Sequence, residues 1–542
     1  MLGSLINSGL IWTFYMNWIT TGLNFVFNNL VITQVGPDAY GIAAVKLNLI
    51  LTTLLTFVRE GVRLASIKEG SIDDIISKKR VIIIGWYPSY LLCIITIPVL
   101  LFQYNNININ INENIALLMY CIAAIIETIA EPWFNAFAHS GNPIPGLQAT
   151  AGAASFQKLG IFIGFYFQLN SLLCFGIGQI VYSIAFTIAL MMQTSQLIES
   201  TNEAIQYSDF HPHHFFNSIS IDKDFYIMQW TAIQSTTTAV LKHILTESDK
   251  ALLSFTVSSK DIGVFAVAHN YGSLVARTVF APIEQNARLV FARTATSIKT
   301  KKEVDTLASV LSGIIRIVLI LGLGAAIFGP TLTRPLIYVL LNRKSTWNDN
   351  DRISVSTTLD MYCPYLLVLA LNGVSEGFLH TAALPSQIFR INCGLIISSG
   401  VFISSIWIAN QWYNLKIGPI EVVIANATGM LIRVLWNFFH IRDCFQDPKI
   451  SFSEKYKSSD VNDNDSNMKS SDIAFNWFDI FYDPILVSVW IATAAVMYNI
   501  PPTVSLYYFG ILCCGGTTAL FSLYYSQSKK LINIYKLITK LK

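Results

Sequence analysis

The stretch SLLCFGIGQIVYSIAFTIALM, residues 171–191, runs twenty-one residues without one Asp, Glu, Lys or Arg. At a rise of about 1.5 Å per residue it makes a helix of ~30 Å, the thickness of a bilayer's hydrocarbon core. Comparable runs recur on both sides of it, near 5–31, 39–58, 81–102, 114–138, 149–168, 226–246, 261–282, 304–329, 357–381, 387–409, 418–440, 480–499 and 503–525. The chain is 53% hydrophobic and 13% charged, about half the ~25% charge share of soluble domains. These features predict an all-α, polytopic membrane protein of about fourteen transmembrane helices whose soluble parts are loops. The run 226–246 is rich in Thr, Ser and Gln and is the least apolar of the set. Segment 330–341 either extends the run before it or lies at the membrane interface.

Several function classes are excluded by what the residues do not form. The net charge of +3 is spread over 542 residues with no nucleic-acid footprint. No phosphate-binding loop, nucleophile elbow or zinc-hydrolase signature occurs, so neither an enzyme nor a cofactor is expected. The eight cysteines lack CxxC spacing and read as buried free thiols. His211-Pro212-His213-His214 has no Cys or carboxylate beside it, so no metal site is expected. The first apolar run is too long for a cleaved signal peptide and reads as a retained anchor.

Basic residues near helix ends stay on the cytosolic side of a membrane. One set of loops collects Arg59, Arg63, Lys68 and Lys78 to Arg80, then the 288–302 and 442–469 clusters, then the tail lysines. The opposite set holds only Lys250, Lys260, Arg343, Lys344, Arg352 and Lys416. Both termini are therefore expected in the cytosol. The long polar stretches 192–225 and 441–478 fall on that side, and the second reads as disordered from 458 to 472.

An internal repeat divides the chain. Gly41-Ile42-Ala43-Ala44-Val45-Lys46-Leu47-Asn48 matches Gly263-Val264-Phe265-Ala266-Val267-Ala268-His269-Asn270 without gaps, and Glu60 and Glu284 follow the two copies. Six helices separate the copies, so both run in one direction, as in transporters built from parallel repeats. The expected organisation is an N-lobe at 1–191, a cytosolic loop at 192–225 and a C-lobe at 226–440. A loop at 441–479 and two further helices with a basic tail at 480–542 complete it.

Ionisable groups at membrane depth are costly and face a cavity or a partner helix. The first run carries Asn17, Thr20, Thr21, Asn24 and Asn28 as one polar stripe. Asn270, Arg277 and Glu284 stand at heptad spacing, and Asn372, Glu376 and His380 at i, i+4, i+8. Lys46, Lys158, Lys242, His243, Arg316, Arg334 and Arg433 add further bases. The functional reading is a hydrated cavity whose Arg forks and Lys point charges meet an anionic substrate. The structural reading is interhelical ion pairs, such as Arg277 with Glu284 or Glu376 with a basic neighbour. Glu127 and Glu131, one turn apart beside Pro132, fit a proton relay or a structural role. Gly373 and Gly377 form a GxxxG step suited to close packing.

Arg59-Glu60-Gly61-Val62-Arg63-Leu64-Ala65, Leu241-Lys242-His243-Ile244-Leu245-Thr246-Glu247, Gly272-Ser273-Leu274-Val275-Ala276-Arg277 with Pro282-Ile283-Glu284, and Leu371-Asn372-Gly373-Val374-Ser375-Glu376 resemble the Rft family. That family belongs to the multidrug/oligosaccharidyl-lipid/polysaccharide exporter superfamily. The likeness covers most of the chain and is strongest over 240–292. Two departures stand out: many relatives have a basic residue where Leu64 stands and an acid where Gln285 stands. The resemblance implies two six-helix lobes plus two helices in the endoplasmic reticulum membrane, and a part in N-glycosylation. Its implied partners are dolichol-linked oligosaccharide, membrane lipids and other N-glycosylation proteins. Its implied role is to move the dolichol-diphosphate-linked oligosaccharide from the cytosolic to the luminal leaflet.

On this reading Arg59, Arg63, Lys158, Lys242, Arg277 and Arg433 are headgroup or gate contacts, and Asn24, Asn28, Asn270 and Asn372 line the cavity. Glu60, Glu284 and Glu376 are gate ion-pair partners. Two alternatives stay open: a non-transporting helper of the glycosylation pathway, and an ion-coupled small-molecule exporter. The second is disfavoured because the first run has no Asp or Glu.

Overall fold

The chain's computed structural model describes, in the main, residues 24–69, 75–104, 111–140, 144–195, 206–212, 223–296, 301–342, 345–382, 385–411, 417–446 and 488–493. The expected helix 503–525, the polar residues Asn17, Thr20 and Thr21, and His213 and His214 lie outside them. Contacts divide the chain into two units, Met1–Gly263 and Val264–Lys542.

In the first unit α1 occupies residues 24–34. α2 runs over Pro37–Lys68, with one π turn at Ile42–Leu47. It outlasts the expected helix by ten residues, so Arg59, Glu60 and Arg63 are helical rather than loop residues. The expected helix 81–102 is two, α3 (Ile75–Ile84) and α4 (Tyr87–Tyr104). They part at Gly85, where a Cβ would stand 2.6 Å from the Cα of Pro132. The expected helix 114–138 also divides, into α5 (Ile111–Ile129) and α6 (Glu131–His139). Pro132 lacks an N–H and fits the first turn of a helix, so the chain restarts there.

α7 (Ile144–Tyr166) and α8 (Ser171–Met192) pair closely. Gly160 lies against Gly178 and Gly164 against Cys174, the small-residue contact that lets helix backbones approach in lipid. The Asn170 side chain accepts the Leu172 N–H at 3.0 Å and starts α8. α9 spans Lys223–Thr256 and packs along α2. Gly61 leaves room there for Ala232 and Thr236. The repeat-based reading opens the second lobe at 226; in the structure this helix packs within the first unit. Ala43, Leu47, Leu51, Leu54, Leu55 and Val58 of α2 form a buried core with residues of α4, α5 and α8.

α10 (Ser259–Val275) starts at the junction and passes through a π turn, Ala276–Phe280, into α11 (Ala281–Thr296). The second unit continues with α12 (Lys301–Leu340), α13 (Asp349–Ala382), α14 (Pro385–Gln411) and α15 (Pro419–Gln446). Segment 330–341 thus extends α12. α13 packs on α11, α12 and α15, and α14 on α15. Residues 488–493 form a last described helical piece.

Seven described helical segments are long and apolar enough to cross a membrane: Pro37–Lys68, Ile75–Pro98, Ile111–Ile129, Ser171–Met192, Val304–Leu340, Asp349–Thr381 and Pro419–Phe445. Their outer faces are apolar. Leu91, Ile94 and Ile97 of α4 and Ile184 and Ile188 of α8 are exposed, an arrangement suited to lipid and not to water. Cys93 shares that exposure, contrary to the expected burial, and the described cysteines are free thiols.

Candidate functional site

Arg59 and Arg63 stand one turn apart on α2, and Glu127 and Glu131 one turn apart across the α5–α6 joint. The four form two rungs of a ladder. Arg59 Nη1 donates to Glu127 Oε1 at 2.5 Å. Arg63 grips Glu131 with two bonds, Nη2 to Oε1 at 2.6 Å and Nε to Oε2 at 2.9 Å. The Arg63 guanidinium also lies 3.9 Å from the centre of the Phe134 ring. Glu131 has no exposed surface. Both glutamates gain charge-assisted bonds that offset their desolvation. Glu60, on the α2 face between the arginines, stays 3.6 Å from Arg59 and 3.8 Å from Arg63 and is partly exposed. Two of the expected headgroup contacts are thus neutralised by acids 68 residues away. Sequence reading missed the pairing, although the shared i, i+4 spacing of both pairs was its signal.

Other first-unit cations are differently placed. Lys158 on α7 is partly buried, and its one hydrogen bond among described residues goes to the neutral Gln157 Oε1 at 3.3 Å. Gln157 in turn donates to Gln179 of α8 at 2.7 Å. Lys242 is exposed on α9. Its neighbour His243 meets Thr53 Oγ1 at 3.0 Å and Thr56 Oγ1 at 3.4 Å, tying α9 to α2. Asn24 and Asn28 lie partly buried on α1, and Asn24 Oδ1 is buried without a hydrogen bond among the described residues.

In the second unit Arg277 sits exposed in the π turn. It reaches back along its own helix to the Asn270 and Ser273 oxygens at 3.3–3.4 Å. It does not pair with Glu284, the partner heptad spacing suggested. That spacing assumes α-helical turns, and the π turn between them adds a residue and shifts the face. Glu284 instead accepts from Arg288 Nη2 at 2.6 Å. The pair lies on the Gly373–Gly377 step of α13, where Gly373 faces the Glu284 carboxylate and Gly377 the Arg288 stem.

Along α13 the Asn372 amide donates to Glu376 Oε2 at 3.0 Å, and His380 Nε2 lies 3.6 Å from Glu376 Oε1. Asn437 of α15 donates to Asn372 Oδ1 and Ser375 Oγ at 3.4 and 3.2 Å. Arg433 donates to Ser398 Oγ of α14 at 3.3 and 3.2 Å. Asn270 Nδ2 is buried without a hydrogen bond among the described residues. Among the described residues no three of His, Cys, Asp and Glu are grouped to hold a metal. Among the described residues Arg59 and Arg63 are struts neutralised by acids, whereas the hydrogen bonds of Lys158 and Arg277 go to neutral oxygens.

A model of the Rft protein family matches residues 7–536. The chain belongs to the Rft family. This Rft protein is 25% identical over 464 residues to the Man(5)GlcNAc(2)-PP-dolichol translocation protein RFT1 of Kluyveromyces lactis, a match covering 78% of this chain and 81% of that one. Its fold is similar to that of the lipid II flippase MurJ in an inward closed conformation. The TM-score is 0.65 at 14% identity, over 96% of this chain and 99% of that one. It is also similar to an inward-facing multidrug resistance MATE family transporter of the MOP superfamily, with TM-score 0.58 at 11% identity over 81% and 96%. At these identities the likeness concerns the fold. The Rft protein is therefore an all-α, multi-pass membrane protein of the MOP architecture, as its sequence resemblance implied.

Proposed function

We propose that this Rft protein carries a dolichol-diphosphate-linked oligosaccharide from the cytosolic to the luminal leaflet of the endoplasmic reticulum membrane for N-glycosylation. Its curated relatives bear translocation names for that cargo. A sugar headgroup with a diphosphate cannot cross hydrocarbon unaided, because each unpaired polar group costs kcal/mol and the charge costs more. The observation that carries the proposal is the lack of acid partners at Lys158 and Arg277. Among the described residues both meet only neutral oxygens, whereas Arg59 and Arg63 on α2 are neutralised. A basic group left this way in a membrane protein favours an anion.

In this proposal Lys158, Lys242, Arg277 and Arg433 contact the headgroup, and Asn24, Asn28, Asn270 and Asn372 line its path. Glu60, Glu284 and Glu376 act at the gates. Arg59 and Arg63 hold α2 to α5 and α6. The two repeat-related lobes rock about the path, both termini lie in the cytosol, and the polyprenyl tail stays in lipid. The test is reconstitution of the full chain in liposomes with the lipid-linked oligosaccharide, followed by transbilayer movement. Acceleration over protein-free vesicles is expected. Movement at the protein-free rate would overturn the proposal in favour of a non-transporting helper of glycosylation.

A further inference from the structure

Among the described residues two turns are π-helical, Ile42–Leu47 and Ala276–Phe280. Each contains one base, Lys46 and Arg277. A π turn sacrifices regular hydrogen bonding, and such turns recur where a helix has a functional side chain to place.

The turn at Ile42–Leu47 reconciles two packing demands on α2. Before it, Gly41 rests on the backbone of Ser259 and Gly263, where a Cβ would come within 2.6 Å of the Gly263 nitrogen. After it, Leu47, Leu51, Leu54, Leu55 and Val58 must face the buried core. Between these surfaces the partly buried Lys46 falls, by spacing, on the face of Thr53 and Thr56 that meets His243 of α9. It makes no hydrogen bond or ion pair among the described residues. Thr53, Thr56 and Glu60 follow at spacings that return to that face. Glu60 is fourteen residues on, about 21 Å along the axis and beyond reach.

The repeat supplies an internal control. The second copy of the octamer, from Gly263 to Asn270, is regular α-helix inside α10, and the counterpart of Lys46 is the buried Ala268. Helix packing on this sequence pattern therefore requires neither the π turn nor a lysine.

We propose that the π turn Ile42–Leu47 is an aiming device that turns Lys46 onto a phosphate of the lipid-linked cargo. Lys46 is thereby a headgroup contact positioned by helix irregularity and not by a partner side chain. The inference rests on the translocation reading above. An ammonium on a flexible stem offers three donors and suits a diphosphate that moves during transport.

The experiment uses the full chain in phosphatidylcholine nanodiscs and measures binding of a short-chain polyprenyl diphosphate, the matching polyprenol and inorganic pyrophosphate. The wild type is expected to bind the diphosphate lipid most tightly. Lys46→Gln should weaken that binding about tenfold or more, the loss of one charged hydrogen bond, and Lys46→Arg should largely retain it. The paired change Ala44→Lys with Lys46→Ala keeps the charge but moves it to another face, and should bind as weakly as Lys46→Gln. Thermal unfolding of each variant confirms that it is folded. Wild-type binding by the paired variant overturns the aiming role, and wild-type binding by Lys46→Gln overturns the contact itself. Lys46-dependent binding of pyrophosphate as tight as that of the lipid overturns the lipid as ligand. A wild type that does not distinguish diphosphate from polyprenol instead overturns the translocation reading.

Discussion

Glu131 lies wholly out of solvent with both carboxylate oxygens on Arg63, so neither residue can lose its partner cheaply. Arg63→Ala or Glu131→Ala is expected to cost about 3–5 kcal/mol, because each leaves a buried charge alone. Replacing both, as Arg63→Met with Glu131→Leu, should cost less than either single change. Thermal unfolding of the four proteins in detergent compares these costs. Arg277 should behave in the opposite way. It is exposed and, among the described residues, held only by oxygens of its own helix, so Arg277→Ala is expected to stay within about 0.5 kcal/mol in stability. The same variant should impair N-glycosylation in cells at unchanged protein level. Glycosylation of a reporter protein checks this, and full activity would remove Arg277 from the headgroup path. The bases themselves were visible in the sequence, because charge inside an apolar run is a local property. Their partners were not, since Glu127 and Glu131 reach α2 only through tertiary packing.

At the scale of elements, close helix contact depends on where glycine leaves room. Gly61 fits α2 onto α9 beside Thr236 and Ala232, whereas a Cβ on Gly152 of α7 would meet nothing within 4 Å. Gly61→Val is expected to lose about 1–3 kcal/mol by overpacking, and Gly152→Ala to lose nothing and gain helix propensity. Thermal unfolding of the two variants side by side tests this. Periodicity and length placed α9 correctly as a helix although it is poor in strongly apolar residues. Pro132 announced the break in its own run, but nothing along the chain showed that Gly85 interrupts another, because that break depends on the contact between the two. Nor could they place the π turns. A π turn answers packing on both of its flanks, so no residue within it announces the extra backbone step.

At the scale of the molecule, orientation rests on the uneven distribution of Lys and Arg. Asn464-Asp465-Ser466 is a glycosylation sequon in the long polar loop 441–479, which the proposed topology holds in the cytosol. It should carry no glycan in cells, and a mobility shift on endoglycosidase treatment would reverse the orientation. The amino-acid sequence by itself determined that this protein is helical, lives in lipid and repeats itself. Hydrophobic run length, charge asymmetry and an eight-residue match are all read along the chain. Tertiary structure alone decided which bases are struts and which face neutral oxygens. A charge is neutralised by whatever packs beside it in space, and the acids that meet Arg59 and Arg63 stand 68 residues away in sequence.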